Sequence, residues 1–257
     1  MTIAKFNSDP YMQQLSTKIS AIYEQDGLDG TREQWFECEE SIFYPNGGGQ
    51  PGDIGQLIIA DTALGIIDTR KSQTAANIRH QLDTLSHTLK VGDTVQLALN
   101  WPRRHRLMRM HSALHMLCSL IPRGVTGGSV GEFKSRLDFD LGEHSIDKQT
   151  LTQQLNALVA QNHLISTDSI SEQELAANPA LVRTMSVQPP KGVGDIRMIG
   201  IGAVTGTETE PVDLQPCGGT HVRSTAEIGE LIVSKIENKG KRNRRIHIKF
   251  ADETLNN

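Results

Sequence analysis

The chain has 257 residues, 37% hydrophobic and 22% charged, with a formal net charge of −4, a length that fits one large domain or two modest ones. No run approaches the ~20 apolar residues of a membrane span, the first residues lack the apolar core of a signal peptide, and collagenous, coiled-coil and wholly disordered classes are excluded. Three cysteines make no disulfide framework, so the cytoplasm is the expected compartment and each thiol is core, ligand or nucleophile.

Residues 1–100 read as β-rich. Short apolar runs at Trp35–Cys38, Gln56–Ala60, Leu64–Asp68 and Thr94–Leu99 lie between turn signals and predict a small N-terminal β-barrel. Between the first two runs, Gly47, Gly48, Gly49 and Gln50 sit in a glycine-rich segment ending at Asp53. It lacks the Gly-Lys-Ser/Thr ending of a P-loop. Consecutive glycines permit positive φ and close backbone approach, either for a tight turn or to admit nucleic acid. Trp101-Pro102 breaks the last strand, and the proline suits the first turn of a following helix. That helix is expected over 103–120, with Leu107, Met110, Leu114 and Leu117 on one apolar stripe.

Arg136–Leu141 alternates as a half-buried strand should. A second amphipathic helix is expected over 147–163, followed by strands near 196–201, 231–236 and 246–250, the last two joined by a basic hairpin. The expected boundary thus separates a domain at 1–100 from an α+β domain at 101–257. Charge is uneven along this chain: 235–249 carries seven Lys/Arg and one acid, +6, so the rest sums to −10. A basic tip on an acidic body suits a polyanion touched at one place, with Lys239, Lys241, Arg242, Arg244 and Arg245 as its contacts and the arginines at 103, 104, 106 and 109 as a second contact. A solvated hairpin protecting a sheet edge is the simpler alternative. Few aromatics, 4%, argue against stacking many bases.

Two ligand pairs carry the chemistry. His111 and His115 stand at i and i+4, one turn apart on one helix face. Cys217 and His221 repeat that separation in a glycine-rich segment that can bend around an ion. Three imidazoles and one thiolate favour zinc over magnesium or calcium. A zinc metalloprotease helix carries Glu directly after the first His; Ser112 stands there, which disfavours a peptidase. Cys38 and Cys118 read as core. Asp138 and Asp140 share a strand face with Arg136, either as a catalytic base or as an ion-paired polar face.

The order Gly47-Gly48-Gly49-Gln50-Pro51-Gly52-Asp53, His111-Ser112-Ala113-Leu114-His115, Arg136-Leu137-Asp138-Phe139-Asp140, Cys217-Gly218-Gly219-Thr220-His221 and Lys239-Gly240-Lys241-Arg242-Asn243-Arg244-Arg245 resembles the editing region of alanyl-tRNA synthetase. More closely it resembles the free-standing alanyl-tRNA editing proteins of the AlaX type, in their intermediate-length form. The resemblance spans about residues 40–250. It implies an α+β fold, with a small β-barrel followed by a zinc-containing editing domain of the threonyl/alanyl-tRNA synthetase type. It implies one zinc ion (Zn2+) per chain on His111, His115, Cys217 and His221, Thr126 as a pocket hydroxyl in the catalytic site, and Gly47–Gln50 as a tRNA-facing element. The implied activity is zinc-dependent ester hydrolysis of mischarged tRNA(Ala), chiefly Ser-tRNA(Ala), with Gly-tRNA(Ala) second. A non-catalytic zinc-stabilised RNA-binding module, and editing of a different mischarged tRNA, are the alternatives.

Overall fold

A computed structural model describes residues 1–27, 29–72, 77–185, 192, 194–202 and 210–251. The chain divides into two compact units, Met1–Gly47 with Pro51–His105, and Gly48–Gln50 with Arg106–Asn257. The last residues of the expected second domain, 252–257, lie outside the described ones.

In the first unit, β1 (Ile3–Ala4), β2 (Gln14–Asp26), β3 (Arg32–Cys38), β4 (Glu40–Ser41), β5 (Gly55–Ile59), β6 (Thr62–Lys71), β7 (Ile78–Leu82) and β8 (Thr94–Leu99) follow one another. Six of them close a barrel in the order β2-β3-β7-β6-β5-β8, which removes free sheet edges. Inward residues including Ile19, Phe36, Phe43, Leu57, Ile66, Leu82 and Leu97 make its core. Cys38 lies among them, and burial pushes its thiol up to about 12. Sequence patterning does not anticipate β2 or β7. A bulge between Ile19 and Ala21 breaks the alternation of β2, and β7 buries the polar Arg79 and His80. His80 stacks on Phe36 with ring centroids 4.9 Å apart; burial lowers its pKa to about 4, so the imidazole is neutral.

Asn100 starts α1 (Trp101–Leu120): its side-chain oxygen accepts from the Arg103 amide at 3.2 Å, a cap of the usual kind. One turn in, Arg104 is fully buried against Asp53. Its guanidinium also donates to the Ile42 carbonyl at 2.8 Å and to the Pro10 carbonyl at 3.1 Å. Asp53 in turn accepts from the Tyr44 amide at 2.6 Å. Gly52 lies so close to the Thr69 carbonyl that any Cβ would strike it.

The second unit contains the rest of α1, then β9 (Val125–Ser129), β10 (Lys134–Asp140), α2 (Lys148–Ala160), β11 (Ile165–Ser171), α3 (Glu172–Ala177), β12 (Asp195–Ile201), β13 (Asp213–Pro216), β14 (Leu231–Asn238) and β15 (Asn243–Phe250). They form a four-stranded sheet, β14-β15-β10-β9, and a three-stranded one, β11-β12-β13. Every residue from Met110 to Cys118 is buried. The expected single stripe is therefore too narrow: Met108, Ala113, Met116 and Cys118 fill the other faces of α1. Asp147 caps α2 through the Thr150 amide at 2.7 Å, and Asn156 on that helix bonds both backbone groups of Leu231 on the edge strand β14. Among the described residues, no helix is long and apolar enough to cross a membrane.

Candidate metal centre

The helical repeat brings His111 and His115 to one face of α1, and the segment leaving β13 supplies Cys217 and His221. One ligand atom from each of the four lies within 4.8 Å of all the others. The Cys217 sulfur is 3.5 Å from His111 Nε2 and 3.4 Å from His221 Nε2. A tetrahedral zinc with sulfur at ~2.3 Å and nitrogen at ~2.0–2.1 Å requires an S···N edge of ~3.6 Å. The donor set therefore fits such an ion in its chemistry, and these two edges fit it in spacing.

Partners outside the four residues hold the rings. His115 Nδ1 donates to the Asp213 carboxylate at 2.8 Å, which accepts a further bond from the Gln215 amide at 2.8 Å. A carboxylate only accepts, so His115 keeps its Nε2 lone pair for an ion. His221 Nδ1 is 3.2 Å from the Ser112 hydroxyl, which also accepts from the Val222 amide at 3.3 Å. Ser112, at the position where a zinc metalloprotease helix carries Glu, thus bonds the segment that holds His221. Gln50 bonds His111 at 2.8 Å. Arg197 clamps the loop by donating to the carbonyls of Cys217 at 2.7 Å and Gly219 at 2.9 Å.

The electrostatics of the cluster favour a bound cation. Burial alone raises the Cys217 thiol, yet His111 and His221 hold it well below its ordinary value. Burial and the charge of His111 push His221 well down. Burial lowers His115 too, but Asp213 and Cys217 outweigh it and raise its pKa to about 10. A cation among these atoms displaces that proton. Cys118, on the same helix, is the opposite case: burial pushes its thiol up to about 12.

The family described as "Threonyl and Alanyl tRNA synthetase second additional domain" matches residues 196–247, and that described as "tRNA synthetases class II (A)" matches residues 4–103. An alanyl-tRNA editing protein, AlaX-M of Methanosarcina barkeri, is 31% identical over 261 residues, covering 98% of this chain and 100% of that protein. The chain belongs to the AlaX family of alanyl-tRNA editing proteins. Within that family, AlaX-M of Saccharolobus solfataricus is 28% identical over 244 residues, 91% of this chain and 97% of that one. An alanine–tRNA ligase of Saccharolobus islandicus is 29% identical over 241 residues, which is 90% of this AlaX chain but 25% of the ligase.

The remaining site residues of this AlaX chain fall in three places. Thr126 occupies a bulge where the β9–β10 register shifts, a device that re-aims a side chain. Its hydroxyl has two acceptors in reach, Asn243 Oδ1 at 2.9 Å and the Asp138 carbonyl at 3.2 Å. Gly48 and Gly49 are exposed, with φ of 56° and 82°, and Gly47 is half-buried, its carbonyl accepting from the Tyr44 hydroxyl at 2.9 Å. Gln50 is buried, its amide spent on His111 and Thr220, which is not a tRNA-facing placement. In the hairpin, Lys239, Lys241 and Arg242 are exposed.

Charge pairing narrows the cationic surface. Arg242 grips Asp140 at 2.9 and 3.0 Å, and Arg245 grips Asp138 at 2.8 Å through both nitrogens. Arg244 reaches the Asn243 carbonyl at 3.1 Å. Arg245 lowers the Asp138 pKa and Arg242 that of Asp140, so neither carboxylate has the near-neutral pKa of a good general base; the ion-paired face is what the structure contains. The helix arginines are likewise spent internally. Arg103 donates to the Gly52 carbonyl at 2.8 Å and Arg104 is buried on Asp53. Arg106 pairs with Glu132 at 2.9 Å, and Arg109 donates to the Ile228 carbonyl at 2.9 Å while its guanidinium lies 3.9 Å from the Phe250 ring centroid.

Proposed function

We propose that this chain is a trans-editing aminoacyl-tRNA hydrolase that deacylates mischarged tRNA(Ala) in the cytoplasm, chiefly Ser-tRNA(Ala) and secondarily Gly-tRNA(Ala). The observation that carries this reading is the convergence of His111, His115, Cys217 and His221 in a chain of the AlaX family. On this reading 1–100 and 101–257 are separate domains, and one Zn2+ is held by those four residues. When bound, it supplies Lewis acidity toward the ester carbonyl or a held water. Water adds to the ester carbon, the C–O bond to the terminal ribose breaks, and free amino acid and deacylated tRNA leave.

Selectivity against the correct product rests on hydrogen bonding. Serine is alanine plus a hydroxyl, which a small alanine pocket rejects poorly, whereas a site built to bond that hydroxyl discriminates by ~10⁴ or more. The single Thr126 proton is directed at Asn243 Oδ1 or the Asp138 carbonyl, which leaves its oxygen lone pairs to accept from a serine O–H. The test is deacylation of Ser-tRNA(Ala), Gly-tRNA(Ala) and Ala-tRNA(Ala) by the zinc-loaded chain. Ser-tRNA(Ala) is hydrolysed and Ala-tRNA(Ala) spared, and Thr126→Val shrinks that ratio ~10-fold or more without changing tRNA affinity. Zinc and tRNA bound without hydrolysis of any of the three would leave the RNA-binding module instead.

The tRNA contact falls to the exposed hairpin tip and to Gly47, Gly48 and Gly49. Lys239 and Lys241 bear no structural ion pair beyond a 3.6 Å approach of Lys239 to Glu237 among the described residues; Arg244 adds charge beside them, while Arg242 and Arg245 are already paired with Asp140 and Asp138. Lys239→Gln with Lys241→Gln is expected to weaken all tRNAs about equally and to flatten the log-affinity against log-salt slope by ~1–2. Identical salt series for variant and parent would mark the hairpin as a solvated edge.

A further inference from the structure

We propose that Gln50, delivered by the Gly48–Gly49 turn, is a positioning residue of the metal centre: it fixes the His111 tautomer and so holds Nε2 ready as a ligand. This rests on reading the cluster as a metal site. The Thr220 backbone amide can only donate, and it points at one end of the Gln50 amide at 3.1 Å. That end is therefore the oxygen, and the other end, the NH2, donates to the Thr220 hydroxyl at 2.9 Å. The same oxygen lies 2.8 Å from His111 Nδ1. An oxygen can only accept there, so Nδ1 carries the ring proton and Nε2 carries the lone pair. His111 Nε2 is the atom 3.5 Å from the Cys217 sulfur.

Three further observations show that the local chain is shaped around this contact. Gln50 is 1% exposed and Thr220 0%, so no water competes for the amide. Gly48 and Gly49 take left-handed φ, and the Gly49 carbonyl accepts from the Val130 amide at 2.8 Å, which fixes how the next residue enters. A Cβ on Gly219 would strike the His111 ring and meet Gln50 Oε1 at 3.0 Å; the glycine leaves room for ring and amide together. With the Asp213 bond to His115 and the Ser112 bond to His221, each histidine of the cluster then has its Nδ1 held by a different segment of the chain.

The experiment is titration of zinc against a chromophoric chelator, with the Co2+ ligand-field spectrum as a second readout. Gln50→Leu is expected to weaken zinc about 10- to 100-fold and to shift or broaden the Co2+ bands. Gln50→Glu keeps an acceptor facing His111 and is expected to restore both. Thr220→Val, which frees the far end of the amide, is expected to fall between them and serves where Gln50→Leu does not fold. Wild-type affinity and spectrum in whichever of Gln50→Leu and Thr220→Val folds would overturn this role alone. A wild-type chain that takes up no metal would overturn the metal reading and this proposal with it.

Discussion

Replacing Cys217 with alanine is expected to abolish metal content and deacylation together, each by on the order of 100-fold or more. The thiolate is the one negative charge among the four ligands. Without it, three imidazoles, each at most 6% exposed, must hold a dication with no anionic ligand and an open fourth position, the Asp213 carboxylate acting only through its bond to His115 Nδ1. Cys118→Ala provides the control. That residue lies on the ligand helix, yet its thiol is pushed up to about 12 by burial and the sulfur belongs to the core. It should lose some stability and no metal. Elemental analysis and single-turnover deacylation on both variants decide the matter. Full zinc in Cys217→Ala, or equal loss in Cys118→Ala, would refute the assignment.

The four residues of the cluster were legible because each pair is local. His111 and His115 are joined by a helical turn, and Cys217 and His221 repeat the separation inside a glycine-rich segment. Their supporting partners were not legible, because Gln50, Asp213 and Ser112 meet their histidines across 61, 98 and 109 residues of sequence. No period or spacing encodes such a contact. The Gln50 segment was visible as unusual, but its glycines alone could not tell a surface loop from a turn that delivers a buried amide.

The barrel shows the same division. Strands built on short apolar runs between turn signals, such as β5 and β8, could be read directly. β7 hides because Arg79 and His80 occupy its buried positions, and β9, Val-Thr-Gly-Gly-Ser, carries no strand signal because its glycines give no side-chain alternation. The basic hairpin was read correctly as a hairpin. What composition could not reveal is that Asp138 and Asp140, on a neighbouring strand, already neutralise Arg245 and Arg242.

The second large effect expected is on stability, at Asp53. Asp53→Ala leaves the Arg104 guanidinium buried with two carbonyls and no counter-charge. Removing one member of a buried pair costs about 3–5 kcal/mol, a large share of the ~5–15 kcal/mol that holds a typical domain together. Removing both charges is less damaging, since no isolated ion remains. Asp53→Leu with Arg104→Met is therefore expected to recover part of the loss. Recovery stays incomplete: the carbonyls of Ile42 and Pro10 and the amide of Tyr44 lose their partners, at about 1–3 kcal/mol for each group left buried and unbonded. Both tryptophans, Trp35 and Trp101, belong to the first unit, so urea unfolding followed by their fluorescence reports on the part of the chain that holds the pair. A single variant that loses less than ~1 kcal/mol would mean that water reaches Arg104 and that the pair acts as a surface bridge does. A double variant less stable than Asp53→Ala would place the stabilisation in Arg104's bonds to the two carbonyls and not in its charge.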